Sequence, residues 1–154
     1  MGWTNSHLHS FSIGKKHYME ILQDDIDFGD NPNVVDSDGI KLNDILKSAK
    51  TKMAYEYDFG DGWMHEIILE KILPFDEKAK LPICLAGEMN CPPENCGGVY
   101  GYSNFLSIRQ NPNHEEYEDV MEWLGEDFDP DYFNVDEKNA WFSLTEEDES
   151  DLVE

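Results

Sequence analysis

Two stretches of the chain alternate apolar and polar residues with the period of two that is typical of β-strands. The first runs from His7 to Ile13, turns at Gly14 and returns over residues 17–22. The second covers residues 53–69 and reverses at the GDG sequence in its middle. Short glycine-containing turns between alternating segments are typical of hairpins, so each stretch predicts a β-hairpin.

The rest of the chain shows helical spacing or no period at all. The segment 24–38 carries six aspartates and predicts a solvated loop, and the segment 75–98 predicts an irregular connection. Apolar spacing and capping residues predict helices over residues 42–46 with Asn43 as N-cap, from a cap at Ser103 to Asn111, from a cap at Asn113 to Gly125, and in one or two short pieces over 128–141.

This order of elements predicts an α+β fold. We expect a mainly antiparallel sheet built from the two hairpins, with the C-terminal helices packed on one face. A length of 154 residues suits one domain, which we place at residues 1–144. Residues 145–154 hold six acidic side chains and no basic one, which predicts a disordered acidic tail.

Charge narrows the classes of partner. The net charge is −23, and residues 110–154 contribute 17 acidic side chains against the single basic Lys138. Such a chain repels phosphate backbones, so we expect a protein partner rather than direct contact with nucleic acid. No stretch approaches the roughly 20 apolar residues of a membrane span. Three cysteines, an odd number, fit a reducing compartment, and we expect a cytoplasmic location.

The cysteines are the most unusual chemical feature. Cys91 and Cys96 flank a PPEN sequence and precede two glycines, and Cys84 lies seven residues upstream. Thiolates at these positions are candidate zinc ligands, and His65 is the natural fourth ligand because its strand leads into this segment. The alternative is that the cysteines are small apolar residues that pack a proline-rich loop. On either interpretation, the prolines and glycines predict that the three cysteines lie close together.

A second candidate site lies at the turn of the 53–69 hairpin. Asp58 and Asp61 stand there, and together with His65 and Glu94 they are candidate catalytic groups for acid–base or metal-assisted chemistry. The alternative interpretation is that both aspartates accept hydrogen bonds from local backbone amides of the turn. His7 and His9 also have a spacing that can chelate a metal, although such pairs more often have a packing role.

Five motifs in unbroken order resemble the pRiA-plasmid ORF-3-like family. They are MGWTNSHLHSF at 1–11, YEYDFGDGWMH at 55–65, PIC at 82–84, CPPENCGG at 91–98 with the following GY at 101–102, and FDP at 128–130. The resemblance implies an association with plasmids and mobile elements but supplies no biochemical activity. Family members usually carry a further strand and helix before the first motif. A chain without them would leave a sheet edge uncovered, which predicts self-association.

Two functions from different classes therefore stay open. The first is a binding or interaction module whose cysteine-rich segment is a recognition surface. The second is a metal-dependent enzyme that uses the region of His65 and Glu94, with hydrolysis as the candidate reaction. A pocket with perturbed carboxylates and a bound metal would distinguish the second from the first.

Overall fold

A computed structural model describes residues 2–21, 31–125 and 127–150, with the backbone alone for residues 144–150. The strands are β1 (His9–Ile13), β2 (Lys16–Met19), β3 (Val34–Asp36), β4 (Lys52–Tyr57) and β5 (Trp63–Ile68). The helices are α1 (Leu42–Ile45), α2 (Gly98–Arg109), α3 (Tyr117–Leu124) and α4 (Val135–Ser150). Strands precede most of the helical residues, which confirms the α+β class.

The sheet has five strands in the order β3-β2-β1-β4-β5. The two predicted hairpins are β1 with β2 and β4 with β5, and both are antiparallel. They join through an antiparallel pairing of β1 with β4, in which Phe11 lies opposite Tyr55. Because side chains alternate across a sheet, this register puts the aromatic residues of both hairpins on one face.

One strand lies inside the segment predicted to be a loop. β3 pairs in parallel with β2, so that His17 lies opposite Val34 and Met19 opposite Asp36. Only two β-branched residues, Val34 and Val35, mark this strand, and a strand of three residues is too short to show a period. The part of the predicted loop before Asn31 lies outside the described residues.

Most helix boundaries differ from those predicted. α2 begins at Gly98, five residues before the expected Ser103, because Gly97 adopts a left-handed φ of 82° and turns the chain into the helix. α3 has Glu116, not Asn113, as its N-cap, and it ends at Gly125 as predicted. The last helical region is one helix, α4, whose backbone continues through Ser150 into the segment expected to be a tail; residues 151–154 lie outside the described part.

Two clusters of buried side chains form the core. The first contains Tyr57, Trp63 and Cys96, and the second contains Ile108, Val120 and Leu124. Phe105 of α2 packs against both clusters and joins the sheet to the helices. Among the described helices, none has the length and apolar composition needed to cross a membrane.

The position of Trp63 gives a stability prediction. Its side chain is only 8% exposed and lies between the sheet and α2, so replacing it with Ala leaves a large cavity. We expect Trp63→Ala to lower the free energy of unfolding by about 3–5 kcal/mol in chemical denaturation. Trp141→Ala is the matched control, because Trp141 is 59% exposed, and it should cost about 1 kcal/mol or less. Similar losses for both variants would contradict this description of the core.

Candidate functional site

The candidate site lies at the turn between β4 and β5, where Asp58 organises the backbone. Asp58 has a left-handed φ of 55° and its amide donates a hydrogen bond of 2.9 Å to the carbonyl of Leu8. Its carboxylate accepts hydrogen bonds from the amides of Gly60 at 2.9 Å and Asp61 at 3.3 Å. Aspartate often stabilises turns in this way, so the local part of the structure follows from the residue type.

Asp61 joins the same turn to the start of α2. Its carboxylate accepts a hydrogen bond of 3.0 Å from the amide of Gly97. Gly98 lies against the backbone carbonyl of Asp61 so closely that a Cβ atom would collide with it. Gly98 is therefore required for the close approach of this segment to the hairpin, and Gly97 suits the left-handed φ of 82° that precedes α2.

Among the candidate acidic side chains, that of Glu94 accepts the most hydrogen bonds in the described part of the chain. Its Oε1 atom accepts hydrogen bonds from the amide of Thr4 at 2.9 Å, from the hydroxyl of Thr4 at 3.0 Å and from the hydroxyl of Tyr57 at 2.8 Å. These bonds join the N-terminal segment, the sheet and the cysteine-rich segment at one atom. Bonds to a carboxylate are stronger than bonds between neutral groups, so this is a substantial cross-link.

His7 lies between the two carboxylates. Its Nδ1 is 3.6 Å from Oδ2 of Asp58 and its Nε2 is 3.9 Å from Oε2 of Glu94. Both distances exceed those of hydrogen bonds but allow electrostatic attraction when the imidazole is protonated. The ring also contacts Tyr57 edge-on, with centroids 5.9 Å apart.

The electrostatics of Glu94 favour its charged form. Burial works against ionisation, but the hydrogen bonds from Thr4 and Tyr57 and the attraction of His7 outweigh it and lower the pKa of Glu94. Burial and the neighbouring Glu94 carboxylate raise the pKa of Tyr57, so its hydroxyl keeps its proton and donates the hydrogen bond to Glu94. A catalytic general base needs a pKa close to the working pH. These contacts lower the pKa of Glu94 and so move it further from neutral pH.

His65 lies outside this cluster of carboxylates. Its Nδ1 is 3.2 Å from the carbonyl oxygen of Tyr55, and its ring packs edge-on against Trp3 at 5.4 Å between centroids. Of the four candidate catalytic residues, the structure thus gathers Asp58, Asp61 and Glu94 around one turn. The imidazole that accompanies them is that of His7.

The three cysteines have different surroundings. Cys84 forms a pair of backbone hydrogen bonds with the side chain of Asn139, at 2.7 and 3.0 Å, and its thiol faces the carbonyl of Ala86. Cys91 packs against Gly2, and Cys96 is buried beside Tyr57 and Trp63.

The predicted zinc ligands do not form a coordination group. Within residues 2–21, 31–125 and 127–150, no group of three or more His, Cys, Asp or Glu side chains is arranged to hold a metal ion. The set of Cys84, Cys91, Cys96 and His65 is therefore not assembled in this structure. Burial raises the pKa of the Cys91 thiol and raises that of Cys96 to about 11.

Sequence reasoning missed Thr4 and Tyr57 as partners of Glu94, and it missed the position of His7 between the carboxylates. The sequence pattern pairs His7 with His9 as a possible metal chelate or packing pair. In the structure, the ring of His9 contacts Phe11 and Tyr55. The partners of Glu94 are 37 and 90 residues away in the chain. No local pattern could have indicated these contacts.

The fold and the site define a class of protein: an α+β domain whose five-stranded sheet carries a carboxylate-based cross-link at one hairpin turn. Residues 1–137 match the family described as plasmid pRiA4b ORF-3-like protein, and the chain belongs to that family. This confirms the resemblance found from the five motifs.

Two relatives support the assignment. The chain is 36% identical over 141 residues to "Uncharacterized protein y4hQ" of Sinorhizobium fredii, which covers 90% of this chain and 70% of that protein. It is also similar to the crystal structure of a protein of unknown function, MM3350 from Methanosarcina mazei Go1. That comparison has a TM-score of 0.73 and 36% identity, and it covers 88% of this chain and 74% of the other.

The contacts of Glu94 predict a pH-dependent loss of stability on substitution. Glu94→Gln keeps the shape but removes the charge, and we expect it to cost about 1.5–3 kcal/mol at neutral pH. Because the folded-state pKa of Glu94 is lowered, the carboxylate stabilises the fold above its unfolded pKa of about 4.3 and loses this effect as the pH falls through the folded value.

The test is denaturant unfolding of the wild type and Glu94→Gln at neutral pH and at about pH 3. The difference between them should shrink at the acidic pH. Glu66→Gln is the control, because Glu66 pairs with Lys52 on the surface at 2.9 Å, and it should cost under about 1 kcal/mol. A difference for Glu94→Gln that does not depend on pH would contradict this role of the carboxylate.

The environment of Cys96 predicts low thiol reactivity. With a pKa of about 11, only about one Cys96 thiol in a thousand is ionised near pH 8, and the side chain is also buried. We expect iodoacetamide to modify Cys96 far more slowly in the folded protein than in denaturant, as measured by peptide mass spectrometry. Equal rates in the two states would show that Cys96 is accessible and outside the core.

Proposed function

We propose that the protein is a binding module that recognises a partner protein through the first half of the connection between β5 and α2. The observation that carries this proposal is the exposure of large apolar side chains between residues 72 and 85. Six of them are more than half exposed: Ile72, Leu73, Phe75, Leu81, Ile83 and Leu85. Phe75 and Leu85 reach 85% and 83% exposure. Such a concentration of apolar surface is typical of interaction sites.

The connection is fixed to the fold at Cys84, near the end of this surface, and again after it, which suits recognition. Cys84 is held by Asn139 of α4, and Asn90 donates from its amide to the carbonyl of Pro130 at 2.8 Å and from its side chain to that of Asp129 at 3.1 Å. Glu94 then attaches the segment to the sheet. A surface between fixed points loses less conformational entropy on binding than a free chain does.

The enzyme alternative has less support. The hydrogen bonds that Glu94 accepts occupy Oε1 and favour a stable carboxylate, while Asp58 and Asp61 accept bonds from backbone amides. All three carboxylates thus have structural partners that explain their positions. His65, the group assigned to metal chemistry, packs among aromatic rings.

The test places a photo-crosslinking amino acid at position 75 in cells, with position 100 as the matched control. Tyr100 lies on α2 and is 91% exposed, so a cross-linker at position 100 measures the non-specific cross-linking of an exposed residue. We expect position 75 to give one defined adduct that position 100 does not give. The purified adduct partner should then bind the wild type, and Phe75→Ser should weaken that binding about tenfold because an apolar anchor is lost.

Equal adducts at both positions would contradict the proposal. A cross-link to a second copy of this chain would show instead that the apolar surface is a self-association interface. Phe75→Ser should leave the melting temperature unchanged, because the side chain is almost fully exposed. Its effect on binding can therefore be separated from an effect on folding.

A further inference from the structure

An apolar groove lies where the connection leaves β5. Four aliphatic side chains, two lysines and one asparagine line it: Leu42, Leu46, Leu69, Ile72, Lys47, Lys71 and Asn43. Its volume is about 440 Å³, within the usual range of ligand pockets.

Backbone pairing at the end of the hairpin builds the groove. The amide of Lys50 donates to the carbonyl of Leu69 at 2.6 Å, and the amide of Leu69 donates to the carbonyl of Thr51 at 3.0 Å. These bonds hold the segment after α1 against the end of β5. The groove is therefore bounded by elements of the fold on both sides.

The groove lies beside the one lysine-rich stretch of an acidic chain. Residues 41–52 hold four lysines and a single acidic residue, Asp44, whereas the whole chain has a net charge of −23. Lys47 and Lys71 are exposed, and within the part of the chain that the structure describes the ammonium of Lys47 donates one hydrogen bond, of 2.8 Å, to the carbonyl of Asn43. A lysine ammonium has three hydrogens to donate, so Lys47 can bind a further acceptor.

We propose that this groove binds an acidic, amphipathic segment of the partner protein. An aliphatic side chain of that segment enters between Leu46 and Ile72, and neighbouring carboxylates lie on Lys47 and Lys71. This inference rests on the proposed function and names the chemistry of the partner. It is continuous with that surface, because Ile72 belongs to the groove and Leu73 and Phe75 follow it directly.

Charge complementarity favours this occupant over others. At physiological salt the screening length is about 8 Å, so the lysines that line the groove act most strongly on a segment bound in it. Acidic groups on a partner are attracted by Lys47 and Lys71, although the whole chain carries a net charge of −23. A second copy of the chain would bring a further net charge of −23 into the contact, which works against self-association.

The experiment selects peptides from a random display library against the full chain at physiological salt. Peptides that also bind the double variant Lys47→Glu/Lys71→Glu are removed by counter-selection. We expect the enriched peptides to combine leucine, isoleucine or phenylalanine with aspartate or glutamate. One synthesised, labelled peptide should bind the double variant about tenfold more weakly than the wild type in fluorescence anisotropy. Lys15→Glu, an exposed lysine in the β1–β2 turn outside the groove, is the control and should bind as the wild type does.

Enrichment of basic or uncharged peptides, or equal affinity for the double variant, would overturn this inference. A peptide that loses binding with Phe75→Ser but not with the double variant would leave the proposed binding function in place and remove the groove from it. If neither change affects binding, both proposals fail. Sedimentation of the wild type and the double variant shows whether the chain self-associates through the groove. A dimer of the wild type that the double variant does not form would also overturn the inference.

Discussion

The hydrogen bonds to the Glu94 carboxylate are the interaction on which the arrangement of the N-terminal segment, the sheet and the cysteine-rich segment depends. The carboxylate accepts bonds from Thr4 and Tyr57 at one oxygen atom and lies near His7 at the other. The N-terminal segment is thereby held over β4, where Trp3 stacks on Tyr57 with centroids 4.8 Å apart. A charged acceptor suits this role because each bond to it contributes more than a neutral bond.

The long connection after β5 has two halves that differ in how they contact the rest of the fold. The second half is held by Glu94 and by the paired glycines at the start of α2, so its residues serve the fold. The first half has its apolar side chains in solvent, although burial of such side chains is the main driving force of folding. The chain keeps this surface exposed while it buries Cys96 and Tyr57, and this contrast is the basis for the proposal that the connection binds a partner.

The candidate site shows where sequence reasoning succeeds and where it stops. Asp58 and Asp61 could be interpreted as turn residues because an aspartate in a glycine-rich turn bonds to amides within a few positions. The structure agrees with that interpretation for Asp58, and it adds a long-range hydrogen bond from the amide of Gly97 to the carboxylate of Asp61. The zinc hypothesis relied on the spacing of the cysteines and on the strand that leads from His65 towards them, and neither fixes the direction of a side chain when the intervening chain is irregular.

The sequence by itself determined the two hairpins, the α+β class and the approximate positions of the helices. It could do so because strand alternation, helical spacing and turn residues act over a few neighbours. The tertiary structure alone decided that β3 pairs in parallel with β2, that α2 begins at Gly98, and that His7 rather than His65 accompanies the carboxylates. Each of these depends on contacts between residues far apart in the chain, and their free energy depends on packing and burial that no local pattern records.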